Sequence, residues 1–167
     1  LRFPDAPLDE RGTARRVGAL CARAYVPLAP ELEARLSDWF AVEHADGQAL
    51  RGREVVRVGG LVLKRFPAPS VFGWVRAPRA TRSAARHFWC LPVASPRPLV
   101  ALWRDFRGAS LLVREYVEGA LLAELAGRDA PADAALSEFL ASLARHDVLH
   151  GDLHPRNLLW DGARWWL

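Results

Sequence analysis

Lysine, asparagine, methionine and cysteine are nearly missing from this 167-residue chain, and each absence narrows what it can be. Lys64 is the sole lysine among 23 basic residues, Asn157 is the sole asparagine, and there is no methionine. Cys21 and Cys90 stand far apart without metal-ligand spacing, so a disulfide framework has no support and a reducing, cytoplasmic address is expected. No apolar run approaches the ~20 residues that a bilayer crossing needs, and the first residues lack a charged start followed by an apolar stretch. Repeats and low-complexity tracts are absent too, and 51% hydrophobic with 25% charged residues excludes global disorder. The chain opens on Leu1 and closes on Trp165-Trp166-Leu167 inside an expected strand, which reads as a piece of a longer protein.

Acidic residues are missing from one long segment. Val55 to Arg104 holds nine Arg or Lys and no Asp or Glu, whereas Asp105 to Leu167 holds six basic and ten acidic residues. Such asymmetry fits a surface for an anionic partner, and equally a solvated arginine surface. A nucleic-acid partner is not expected, because the tryptophans do not interleave with the arginines in an RNA-binding pattern.

Periodicity supplies the outline. Val17, Leu20, Cys21 and Ala24 follow helical spacing, and a second helix is expected from Pro30 with Leu32, Leu36 and Phe40 on one side. Glu54–Val58 and Leu61–Phe66 flank Gly59-Gly60, which predicts two antiparallel strands. A helix opening at Pro78 is expected to bury Ala85, Phe88 and Trp89 and to present Arg79, Arg82 and Arg86 on another face. Leu99–Trp103 and Ser110–Val117 read as a further strand pair, and Asp133–His146 as a helix through Leu136, Phe139, Leu140 and Leu143. Asp161-Gly162 between apolar runs predicts a closing hairpin.

The sharpest motif is His150-Gly151-Asp152-Leu153-His154-Pro155-Arg156-Asn157 ahead of Leu158-Leu159-Trp160. A carboxylate and an amide five residues apart in a polar loop suit phosphoryl transfer, the aspartate taking a hydroxyl proton and the amide oxygen ligating Mg²⁺. A turn with a capping aspartate and a surface histidine is the bland alternative. Upstream, Lys64 stands in Leu61-Val62-Leu63-Lys64-Arg65-Phe66, where an ammonium on a strand is a compact charge able to reach between phosphates.

Together these residues resemble the protein-kinase-like superfamily, whose catalytic loop reads H-x-D-x-x-x-x-N and whose first lobe offers a V-x-K lysine. The H-G-D version is similar to that of small-molecule and sugar kinases. Arg76–Arg86, Pro96–Leu102 and Ser110–Gly119 resemble the lipopolysaccharide core kinases, which phosphorylate Kdo or heptose, over roughly residues 50 to 167. The resemblance implies an α+β fold: an antiparallel-sheet N-lobe with an N-terminal helical extension over 1–114, a hinge over 115–119, and an incomplete start of a helical C-lobe over 120–167. It implies ATP and Mg²⁺ as cofactors and an anionic glycolipid or sugar acceptor. It also implies a cytoplasmic enzyme in peripheral contact with the inner face of the inner membrane.

In the roles so implied, Asp152 is the base and His154 a donor near the γ-phosphate. Asn157 is the metal ligand and Lys64 the phosphate ligand, while backbone groups near Glu115 and Val117 seat adenine. His150 is assigned a structural part. Three departures accompany the likeness. No acidic residue lies between Glu54 and Asp105 to pair with Lys64, Thr81 or Ser83 standing near that place; Gly47 to Gly52 makes no G-x-G-x-x-G; and a metal aspartate is expected beyond Leu167. The 167 residues are therefore expected to be inactive by themselves, with the helix face from Leu136 to Leu143 incompletely covered. An aminoglycoside- or choline-kinase-like phosphotransferase and a nucleotide- or glycolipid-binding pseudokinase are the alternatives. Oligomeric state is left open.

Overall fold

A computed structural model describes residues 9–41, 47–51, 54–68, 79–89, 93–105, 108–125, 130–151 and 153–167. The class is α+β, with three helices, a seven-stranded antiparallel sheet and a three-stranded one among the described residues. The chain divides into two compact units, residues 1–86 with 97–116 and residues 87–96 with 117–167. None of the described helices is long and apolar enough to cross a membrane.

The first unit holds β1 (Thr13–Val17), β2 (Leu20–Ala24), α1 (Pro30–Ala41), β3 (Gln48–Arg51), β4 (Val55–Val58), β5 (Leu61–Phe66), β6 (Pro98–Trp103) and β7 (Ser110–Glu115). Their order in the sheet is β1-β2-β6-β7-β5-β4-β3. The expected helix through Val17, Leu20, Cys21 and Ala24 is instead the β1–β2 hairpin. Gly18 takes φ 56° at its turn, and Leu20, Ala22 and Ala24 alternate into the core with half-buried Cys21 and Arg23 between them. Those four positions satisfy a period of about 3.6, but the intervening alanines make a period of two equally good, and a glycine in the left-handed region ends any helix. Among the described residues, α1 is the helix that remains of the expected helical extension.

α1 buries Leu32, Leu36, Trp39 and Phe40 against Leu61, Leu63, Val100, Leu102, Leu111 and Val113. Fully burying one such side chain contributes roughly 1.5–3 kcal/mol. Its first turn carries Glu31 and Glu33, which suit the positive end of the helix dipole. At its other end Arg65 of β5 donates from Nη2 to the carbonyls of Trp39 (2.8 Å) and Phe40 (3.1 Å), satisfying acceptors the helix cannot pair itself. The β4–β5 hairpin turns at Gly59, φ 61°, as its Gly-Gly pair predicts. Gly47 lies where a Cβ would stand 2.4 Å from the carbonyl of Arg57, so β3 approaches β4 only because that side chain is absent.

α2 (Arg79–Trp89) runs across the boundary between the units. The stripe expected on it is rotated: Ala80, Ala84 and Phe88 are buried, Ala85 is half-buried, and Trp89 is 71% exposed. Burial at i, i+4 and i+8 selects the small alanines because the face is closely packed, while Arg79, Arg82 and Arg86 are exposed as anticipated. Pro78 and Cys90 lie outside the described residues.

In the second unit β8 (Ala120–Leu121), β9 (Leu159–Trp160) and β10 (Trp165–Trp166) form the order β10-β9-β8, and α3 (Ala130–Arg145) supplies most of the core. Leu136, Phe139 and Leu143 pack with Val93, Ala132, Leu158 and Trp165, whose indole Nε1 donates to the Ala132 carbonyl at 2.9 Å. The uncovered face anticipated on this helix is thereby reduced to Leu140, 41% exposed.

Candidate active site

Lys64 lies on β5, third from the β3 edge of the sheet, between β4 and β7. The ladder pairs Leu61 with Glu115, Leu63 with Val113 and Arg65 with Leu111, and these positions face α1. Strand alternation therefore sends Val62, Lys64 and Phe66, with Arg114, Leu112 and Ser110 opposite them, to the other face. The Lys64 ammonium stands 5.2 Å from the centroid of the Phe66 ring.

The end of β7 leads into residues 116–119. The N–H of Glu115 donates to the Arg97 carbonyl at 2.9 Å, and its carboxylate accepts from Arg97 Nε at 3.1 Å. What Glu115 can offer a ligand edge is thus its carbonyl. Tyr116 donates its N–H to Gly60 (2.9 Å), and its ring lies 3.8 Å from the Arg57 guanidinium. Among the described residues the N–H and C=O of half-buried Val117 take no backbone hydrogen bond. Gly119 follows, where a Cβ would stand 2.3 Å from the Trp160 carbonyl; no other residue permits that approach of β8 to β9.

The loop over 150–158 is set from both sides. α3 ends in a left-handed Asp147 (φ 51°), with Val148 N–H on the Leu143 carbonyl at 3.0 Å and Asp147 N–H on Ala144 at 3.2 Å. This pairing satisfies orphan carbonyls and turns the chain sharply toward His150. On the other side, the carbonyls of Pro155 and Leu158 accept from Ala123 (3.1 Å) and Leu122 (2.8 Å). Within the loop, Asn157 N–H donates to the His154 carbonyl at 2.9 Å, and Arg156 N–H donates to His154 Nδ1 at 3.1 Å. An accepting Nδ1 places the proton of the neutral ring on Nε2, so His154 is a donor through Nε2. Asp152 lies outside the described residues; His150, His154 and Asn157 are half-buried.

The turn after this loop is built on Asp161. Its Oδ1 accepts the N–H groups of Ala163 and Arg164, both at 2.8 Å, and its Oδ2 accepts the Trp166 indole N–H at 2.6 Å. Burial pushes this carboxyl upward, but the N–H of Arg164, the indole of Trp166 and the N–H of Ala163, with the Arg164 charge, hold it below the ordinary range. Gly162 completes the turn with φ 94°.

The structure thus brings His154 and Asn157 into one short loop of the second unit, which also holds Val117, and Lys64 and Glu115 into the sheet of the first. Sequence reasoning missed Arg114. The signal was there: a cation within Leu111-Leu112-Val113-Arg114 falls, by alternation, on the lysine's side of the sheet. As oxygen donors for a hard cation, the Asn157 amide and the Asp152 carboxylate are chemically suited to Mg²⁺, and Lys64 and Arg114 are suited to phosphates. No protein-family model matches the chain, and no curated protein matches it.

Proposed function

We propose that this chain belongs to an ATP-dependent phosphotransferase of the protein-kinase-like type, acting on a sugar hydroxyl, with Kdo or heptose of the lipopolysaccharide inner core as acceptor. The reading rests on one observation above the others. The loop carrying His154 and Asn157 is held by Ala123 and Leu122 and runs directly into the β9–β10 hairpin, as a phosphoryl-transfer loop of this pattern demands. It is supported by the chain order: Gly47 ahead of the β3–β4 pair, the lysine strand β5, the helix α2, then β6 and β7 leading to the connector.

In this reading Asp152 takes the proton of the acceptor hydroxyl while the hydroxyl oxygen bonds to the γ-phosphorus and the bond to the bridging oxygen of the leaving diphosphate breaks. Lys64 holds the nucleotide phosphates, the backbone of Val117 and the carbonyl of Glu115 meet the adenine edge, and His154 donates from Nε2 toward the transferring group. Asn157 would hold Mg²⁺, which neutralises phosphate charge when bound.

The test uses the whole gene product, ATP, and Kdo- or heptose-containing lipid acceptors beside soluble alcohols such as aminoglycosides and choline. Asp152→Asn is expected to lower turnover by about 10²-fold or more. Activity retained within a few-fold of wild type removes Asp152 as the base, and preference for the soluble alcohols moves the acceptor to that class. A second reading, nucleotide binding without turnover, is favoured by the sequence of α2, which contains no Asp or Glu. ATP binding with no transfer to any acceptor would establish it.

A further inference from the structure

The two faces of the seven-stranded sheet treat their cations differently. On the α1 face, Arg15 pairs with Glu33 (2.9 Å), Arg65 caps the carbonyl end of α1, and Arg97 meets Glu115. Following the register across all seven strands, the other face carries Arg16, Arg23, Arg51, Arg57, Lys64 and Arg114, and no strand position on it is Asp or Glu. Three of the arginines there turn to neutral acceptors: Arg16 to the Cys21 sulfur, Arg23 to the Arg11 carbonyl, and Arg57 to the Gly59 carbonyl and the Tyr116 ring.

Arg114 is the extreme case. Its Nε is sealed from solvent with no hydrogen-bond partner among the described residues. Burial alone pulls this guanidinium below the ordinary arginine range, yet an arginine stays charged at neutral pH. Arg114 is half-buried as a residue, but a charged group with a sealed, unpaired donor costs stability, and a fixed anion is what offsets that cost. Lys64 pairs with Leu112, two residues from Arg114 on the same face, so the two side chains are diagonal neighbours with Cβ atoms roughly 7 Å apart. Two long cationic side chains rooted that close together can both reach one chain of phosphates.

We propose that this face is a polyanion-binding surface anchored on Arg114, which together with Lys64 takes a ligand bearing a chain of phosphates. The proposal rests on the reading of Lys64 as a phosphate ligand and adds the residue that completes the site. Arg114 supplies the forked donor and Lys64 the point charge, and the flanking arginines raise the local concentration of the anion.

The experiment titrates tripolyphosphate, ATP and adenosine into the whole gene product and its Arg114→Met and Arg114→Lys variants over a range of salt. Tripolyphosphate is the probe for the phosphate chain and adenosine the control for the rest of the nucleotide. Arg114→Met is expected to weaken tripolyphosphate and ATP by about tenfold to a hundredfold, with adenosine unchanged. The slope of log affinity against log salt should fall by about one. The ligand-free melting temperature of Arg114→Met should match or exceed wild type, since an uncompensated charge has gone. Arg114→Lys keeps the charge without the fork and should bind with intermediate affinity; it carries the test where Arg114→Met does not fold. Tripolyphosphate affinity within twofold of wild type in whichever variants fold, or no binding to wild type at low salt, overturns the proposal. Tripolyphosphate binding that depends on Arg114 without any phosphate transfer sinks the kinase reading and leaves this one standing.

Discussion

Burial pushes the Tyr25 phenol up to about 12, the nearby Arg23 charge lowering it only in part. The ring is 3% exposed and packs on Gly12, whose φ of 65° and missing Cβ leave room for it; a Cβ there would stand 2.8 Å from the ring. A phenol near 10 when unfolded and near 12 when folded leaves stability intact below pH 10, and stability falls as pH rises from 10 through 12. The full shift corresponds to about 2–3 kcal/mol. Denaturation between pH 8 and 12 should show this loss in wild type and a flatter curve in Tyr25→Phe; equal slopes would remove Tyr25 as the cause. At this scale the candidate site was only half legible. Lys64 and Asn157 stood out because each is unique in its type, and His154 by its spacing to Asn157. Arg114 did not, because one arginine among many carries no compositional signal and its meaning comes from a partnerless, sealed Nε that only the fold creates.

Among the elements, those with one dominant period were readable in the sequence: α1, the β4–β5 hairpin with its glycine pair, β6, β7 and α3 all lie where their apolar spacing puts them. β1 and β2 were not, because alanines at Ala22 and Ala24 serve a helix face and a strand face alike, and the choice falls to pairing with β6. The face of α2 escaped for a related reason: Trp89 has the greater apolar area, but Ala80 and Ala84 fit where space is short. The β9–β10 hairpin was foreseeable from Asp161-Gly162, yet its strength lies in the three hydrogen bonds that Asp161 accepts. Because its folded pKa is depressed, the stability it supplies is present above the ordinary carboxylate value near 4 and is lost as pH falls through the lower folded value. The Trp166 indole N–H resonance should therefore shift below about pH 4. Asp161→Ala should destabilise by about 1–3 kcal/mol, and Asp161→Asn, which keeps an acceptor for the two N–H groups, by less. An indole resonance insensitive to acid, or an alanine variant as stable as wild type, contradicts this.

At the scale of the whole molecule the described apolar residues gather into two cores, one around Leu36 and the sheet of the first unit, the other around Phe139 and Trp165 in the second. Among the described residues neither core shares a buried residue with the other, and Leu36 is sealed completely while Phe139 is 8% exposed. Close-packed interiors relax little around a deleted side chain, so each truncation leaves a cavity in addition to the lost burial. Leu36→Ala should destabilise by about 2–5 kcal/mol and Phe139→Ala by about 3–5 kcal/mol. Truncations without shared partners add to within about 0.5 kcal/mol, whereas those felt through a common cavity or backbone shift do not. Chemical denaturation of both single variants and the double variant, with amide exchange to report each unit, measures this directly. Additive losses are expected, with Leu36→Ala speeding exchange first in β2, β5, β6 and β7, and Phe139→Ala first in α3 and β9. A coupling energy above about 1 kcal/mol, or exchange that rises equally throughout the chain in either single variant, would mean that the two cores open as one.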